Sequence, residues 1–280
     1  VKWQGLSGRH VGGQAMTEFV IIIPVLVLLI FGAIQIAFIY SAKITLNYAT
    51  FQAARVGANE HATYSAMRKG LVRGLAPLFT STSDMANVKT DIAIGIDGGS
   101  ERRSAVSEVD NYVRIIRLNP SAAALAPTGF GQDNDQGYME LPNDNLMYRP
   151  STVHAGVSIQ DANLLKIRVQ YCYKLMVPIV NKIIGSLSEM RNTRSPSDYH
   201  PHDTVHDPRF ADRNRGAVNE QAEMLGQSGY EALCKERTGN REGFILTAEA
   251  IVRMQSAAYD RDPDAEVGDR MCDGIHMACP

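Results

Sequence analysis

The sequence lacks any surplus of basic charge. Its formal net charge is −2, which gives no electrostatic reason to propose a nucleic-acid partner, since that normally needs a clustered basic face. CxxC and CxxCH are absent, so thioredoxin-like redox chemistry and c-type haem attachment have no support. There is no GxSxG, no P-loop and no dinucleotide glycine motif. Enzyme chemistry therefore has no signature here, and no cofactor is implied. No internal repeat or low-complexity tract occurs, which excludes a solenoid. The most telling absence is local: between Phe19 and Tyr40 there is no charged residue at all.

That run is dominated by Ile, Leu, Val and Phe and spans 22 residues. As a helix it is about 33 Å long, against roughly 30 Å of bilayer hydrocarbon, so it predicts a single transmembrane helix. A buried core helix is the bland alternative, but core helices rarely go so long without charge. Upstream lie Lys2, Arg9 and His10, with no acid before Glu18. Lys43 and Arg55 downstream belong to a large domain, which translocates largely regardless of charge. The short basic end is thus expected in the cytoplasm and the large domain outside the bacterial inner membrane, in the periplasm. A secretory signal peptide has a shorter apolar core followed by a cleavage site; a cut near Ser41-Ala42 is the weaker reading.

The edge of the run carries more information. It reads Gly12-Gly13-Gln14-Ala15-Met16-Thr17-Glu18-Phe19. Glu18 is a lone carboxylate at the margin of an apolar layer, where charge is costly. An interfacial acid complementing the helix dipole would account for it. The spacing suggests more. Cleavage after Gly13 would make Gln14 the new N-terminus, one helical turn from Glu18, where ammonium and carboxylate can pair. A neighbouring subunit's ammonium could serve instead.

A short basic leader, Gly at the cut, Glu five residues on, Phe19 next and then a long apolar helix resembles the type IV prepilins. The Gly13/Gln14…Glu18-Phe19 form is most similar to the tight adherence (Tad, Flp) system. The continuation from Pro24 through Gly32 to Gln35, followed by Gln52-Ala53-Ala54-Arg55-Val56-Gly57-Ala58, resembles the TadE-like proteins. The likeness is good over about residues 11–60 and weak at 166–178 and 248–256. It implies a pseudopilin, not an enzyme, that is cut by a prepilin peptidase and serves pilus assembly for adhesion, biofilm or secretion. It implies as partners other Tad pilins or pseudopilins and inner-membrane platform proteins, besides membrane lipid. Gly13 and Gln14 would form the cleavage site, and Glu18, Phe19, Pro24 and Gly32 the helix assembly motif. Gln35 stands where many relatives carry a second acid, so no role of that acid carries over. The competing reading is a membrane-tethered periplasmic ligand- or metal-binding protein.

Three regions are expected: a leader at 1–13, a transmembrane and extended helix at 14–60, and a periplasmic domain at 61–280. The helix should run to about Gly57, with small residues (Ala42, Ala49, Ala53, Ala54, Gly57) allowing close packing on a sheet. A second helix is predicted from Tyr64 to Leu75. Strands are predicted at 88–96, 112–118, 153–159, 163–175 and 244–257 from period-two alternation. In the fourth, Leu165, Ile167, Val169, Tyr171, Tyr173 and Leu175 line one face. Lys166, Arg168, Gln170, Cys172 and Lys174 line the other. A short helix should follow at 180–187. The fold class is α+β: a transmembrane helix extending into a pilin-like domain with an antiparallel sheet.

A polar insertion, partly helical at 218–235, occupies about 188–242. An even cysteine count in an exported domain suggests two disulfides. Cys172 with Cys234 would pin the insertion across the sheet, and Cys272 with Cys279 would close a small loop; two other pairings remain open. His200, His202 and His206, with Asp203 and Asp207, are weak metal candidates, in a proline-flanked loop better read as solvated. Asp260, Asp262, Asp264 and Glu266 alternate as calcium ligands do. Ala265 and Met271 stand where the loop needs Gly and Glu, so an acidic turn is preferred. Asp97-Gly98-Gly99 reads as a turn.

Overall fold

The structure, a computed structural model, describes residues 14–79, 105–134, 136–154, 156–184, 243–263, 271–272 and 276–279. The strand expected at 88–96, the Asp97 turn, Gly13 and the insertion with Cys234 and the three histidines lie outside the described residues.

Helix α1 runs Gln14–Asn59 without a break. Its upper half carries two stripes. Ala42, Leu46, Ala49 and Ala53 recur every three or four residues, and all are fully buried. Ile36, Tyr40, Ile44, Tyr48 and Phe51 recur on another face and are exposed. Helix α2, Tyr64–Phe79, runs back along α1. It passes the expected end at Leu75 and contains Pro77 near its terminus. The small residues of α1, expected against the sheet, meet mainly α2 instead: Gly70 lies against Ala53 and Gly74 against Ala49. Gly57 faces both layers, toward Met67 of α2 and Leu165 of the sheet.

Next come α3 (Ala105–Tyr112), strand β1 (Val113–Asn119) and the short α4 (Ala122–Leu125). The small strands β2 (Gln132–Asp133) and β3 (Met139–Leu141) follow, then β4 (Val153–His154) and β5 (Val157–Ser158). The single strand expected at 153–159 is thus a tight hairpin. Gly156 turns the chain at φ +81°, and Ser158 caps a helical turn, α5 (Ile159–Ala162), by accepting from the Asp161 N–H.

The long strands are β6 (Leu164–Lys174) and β7 (Gly243–Arg253), paired antiparallel along their whole length. β7 stops before the expected Ala257 because the chain turns to other acceptors. The Met254 N–H goes to Asn163 O, and those of Gln255 and Ser256 go to Ala58 O. Strands β8 (Ala258–Tyr259) and β9 (Met277–Ala278) complete the set. The main sheet has the order β7-β6-β1-β9. It is antiparallel except at its edge, where β9 pairs parallel to β1. β2, β3 and β8 form a second sheet. The architecture is α+β.

The alternation in β6 holds on its inner face, where all six apolar residues from Leu165 to Leu175 are buried and join the core with α1 and α2. On the other face Arg168 and Lys166 reach Glu249 of β7, whereas Gln170 and Cys172 are buried. β6 descends along α1: Asn163 at its start lies near Ala58, and Val177 beyond its end reaches Gln35.

Candidate functional site

The lower half of α1 touches little of its own chain. From Phe19 to Ile30 every apolar side chain is exposed, and only Phe31 and Gly32 are half-buried. Such a surface, on a helix with little packed against it among the described residues, is stable in lipid or against other helices and costly in water. Among the described residues this is the one helix long and apolar enough to cross a membrane. Gln14 is its first residue and Glu18 its fifth, exposed beside Phe19. Pro24 lies in its interior and has no N–H to offer the carbonyl of Val20, which removes one rung of the ladder. A Cβ at Gly32 would meet nothing within 4 Å, so nothing within the described chain requires glycine there.

The domain takes hold of α1 at Gln35. This side chain is fully buried, and its Oε1 accepts the N–H groups of Val177 (2.8 Å) and Met176 (3.2 Å) just past the end of β6. Two backbone donors that leave the sheet are thereby satisfied by a residue of the apolar helix. The Nε2 of Gln35 has no partner among the described residues. Higher up, the Lys43 ammonium donates to the Thr247 carbonyl of β7, which ties α1 to the sheet about two turns above Gln35.

The anchor is TadE-like: residues 13–55 match the family model of the TadE-like proteins. The matched segment begins at the glycine before α1 and ends inside that helix. Comparison with curated proteins and with solved structures finds no match. The TadE-like segment therefore contains every position of the expected assembly motif, and the α+β domain from α2 onward lies beyond it.

Other expected positions fall elsewhere. Cys272 and Cys279 form a disulfide with a Cα separation of 5.1 Å. It stands beside β9, where the His276 carbonyl accepts the Ile115 N–H. Cys172 is also disulfide-bonded and packs on Tyr112 and Ile245. Among the described residues no group of three or more His, Cys, Asp or Glu is placed to hold a metal. Asp260 and Asp262, weighed as calcium ligands, accept from backbone instead: Asp260 from the Met139 N–H and Asp262 from the Ser65 N–H.

Two polar residues were missed as structural centres. One is Gln35. The other is Arg117, on the inner side of β1 and 1% exposed. Its guanidinium donates to the carbonyls of Tyr259 (3.0 Å) and Ala62 (3.4 Å). Burial pulls its pKa down to about 10, while the charge of Asp260 acts the other way. The two faces of β1 each carry two apolar residues and one arginine, so the sequence held no signal for it; the pairing of Arg117 with Ile167 of β6 places it inward.

Proposed function

We propose that this chain is a single-pass pseudopilin of a Tad-type pilus, held in the bacterial inner membrane with its domain in the periplasm. A prepilin peptidase removes the residues through Gly13, and the mature chain starts at Gln14. The observation that carries this reading is the coincidence of the TadE-like match with the bare half of α1. A helix this apolar, uncovered by its own domain, is suited to packing sideways against other pilin helices in the membrane. Gly32 offers a neighbouring backbone a close approach. Glu18, one turn from the new ammonium, offsets its own burial by pairing with that group or with a neighbour's.

The role is structural. The apolar helix brings the subunit to the platform and the other pilins, and the domain is what it presents outside. Mass spectrometry of protein extracted from membranes tests the processing step. Cells with the prepilin peptidase should yield an N-terminus at Gln14, and cells without it a longer chain. A leader still present in both, or an N-terminus beyond the helix, would sink the proposal. Glu18→Ala should still insert in the membrane but fail to support normal piliation.

A further inference from the structure

We propose that the segment following β6, residues 176–184, a turn that passes into the helix expected from Val180, is a second membrane contact that dips into the periplasmic leaflet beside the anchor. The inference rests on the reading that α1 spans the bilayer and goes beyond it. Its first support is depth. From Glu18 to Gln35 the helix axis covers about 26 Å at 1.5 Å per residue, whereas the hydrocarbon layer is about 30 Å thick. With Glu18 at the cytoplasmic margin, Gln35 sits a few ångströms inside the opposite margin. Tyr40, exposed and slightly higher, falls at the headgroup level where tyrosine is favoured.

The second support is the attachment. Gln35 holds the backbone of Met176 and Val177 at its own level, by two hydrogen bonds. The turn therefore cannot sit above the bilayer while α1 crosses it. The third support is what the turn exposes. Met176, Ile179 and Ile183 are 60%, 63% and 46% exposed, within a stretch where Val177 and Val180 are buried. Ile179 is held at φ +68°, a conformation that β-branched residues rarely adopt. Between Cys172 and Ile184 the chain has two lysines, Lys174 and Lys182, and no acid. Apolar side chains flanked by lysine suit a leaflet containing anionic phospholipid, with the apolar atoms about 5–10 Å into the headgroup and acyl boundary.

The occupant of this surface is thus lipid. The sequence holds one tryptophan, Trp3, in the leader that the proposed cleavage removes, so Trp3→Phe keeps the background silent in cut and uncut chain alike. In that background Met176→Trp, Ile183→Trp, Leu28→Trp and Tyr148→Trp are placed singly. Each is reconstituted, one chain per nanodisc, in phosphatidylethanolamine and phosphatidylglycerol carrying bromines at shallow or deep acyl positions. Leu28→Trp should be quenched most by deep bromines. Met176→Trp and Ile183→Trp should be quenched by shallow bromines at least twofold more than Tyr148→Trp, which reports an exposed loop.

Quenching of Leu28→Trp with Met176→Trp and Ile183→Trp no more affected than Tyr148→Trp would overturn the proposal but leave the anchor standing. Blue-shifted emission at Met176→Trp and Ile183→Trp without bromine quenching would mean that protein covers the patch, and would also overturn it. Loss of quenching at Leu28→Trp would remove the anchor, and this contact with it.

Discussion

The carboxylate of Asp262 receives both the backbone N–H and the hydroxyl of Ser65, at 2.7 and 3.0 Å, across 197 positions of sequence. Ser65 lies in the first turn of α2, where backbone donors have no intrahelical partner. The Thr63 hydroxyl accepts from the Ala66 N–H in the same turn, so two orphan donors are met by two different segments. Asp262→Ala should cost about 1–2 kcal/mol, the usual loss for a helix cap. Urea unfolding of the full chain in detergent, followed by circular dichroism, measures it. An unchanged midpoint would show that water replaces the carboxylate at no cost.

Gly74 and Gly70 set the spacing of the two helices. A Cβ at Gly74 would lie 2.7 Å from that of Ala49, and one at Gly70 would lie 2.7 Å from the Ala53 Cα and 2.8 Å from the Gln52 carbonyl oxygen. These are mostly backbone atoms and cannot swing aside. Gly→Ala within a helix gains about 1 kcal/mol in propensity, but overpacking costs about 1–3 kcal/mol. Because the clash is with backbone, Gly74→Ala should fall at the costly end and be net destabilising, by up to about 2 kcal/mol. Arg73→Ala, at an exposed neighbour, should change stability little. A stabilised Gly74→Ala would mean that α1 and α2 part readily.

Gln35→Leu tests the seat of the turn after β6. It leaves the Met176 and Val177 amides without their acceptor, at about 1–3 kcal/mol for a buried donor, partly offset because the unpartnered Nε2 is lost too. Hydrogen exchange at residues 176–177, read by mass spectrometry in nanodiscs, should accelerate about tenfold, which corresponds to about 1.4 kcal/mol of local opening. Exchange in β1 should stay as it was. Unaltered exchange at 176–177 would take Gln35 out of the structural account.

Patterns contained in one segment were legible in the sequence. The alternation from Leu165 to Leu175 predicted β6 and its inner face, and the uncharged run predicted the bare half of α1. What was missed depends on distant partners. Gln35 read as the absence of an acid, because its acceptor role involves amides 141 and 142 positions away. Asp260 and Asp262 alternate like ligands, yet their donors belong to Met139 and Ser65. The strand expected at 153–159 failed for a local reason, the turn at Gly156, whose positive φ is open to glycine at little cost. Within the expected assembly motif, Glu18 and Gly32 rest on spacing and family likeness alone; the structure adds that Glu18 is exposed and Gly32 half-buried on the apolar helix.

α1 remains one helix from below Pro24 to Asn59, about 69 Å of continuous rod at 1.5 Å per residue. Among the described residues the domain grips its upper part, through Gln35, Lys43 and the alanine stripe. Each residue along a helix turns the side-chain direction by about 100°, so the azimuth of the lower side chains fixes that of the upper ones. Whatever clasps Phe19 and Gly32 from the side therefore aims the sheet. On the proposed reading the helix is a compass needle as well as a tether.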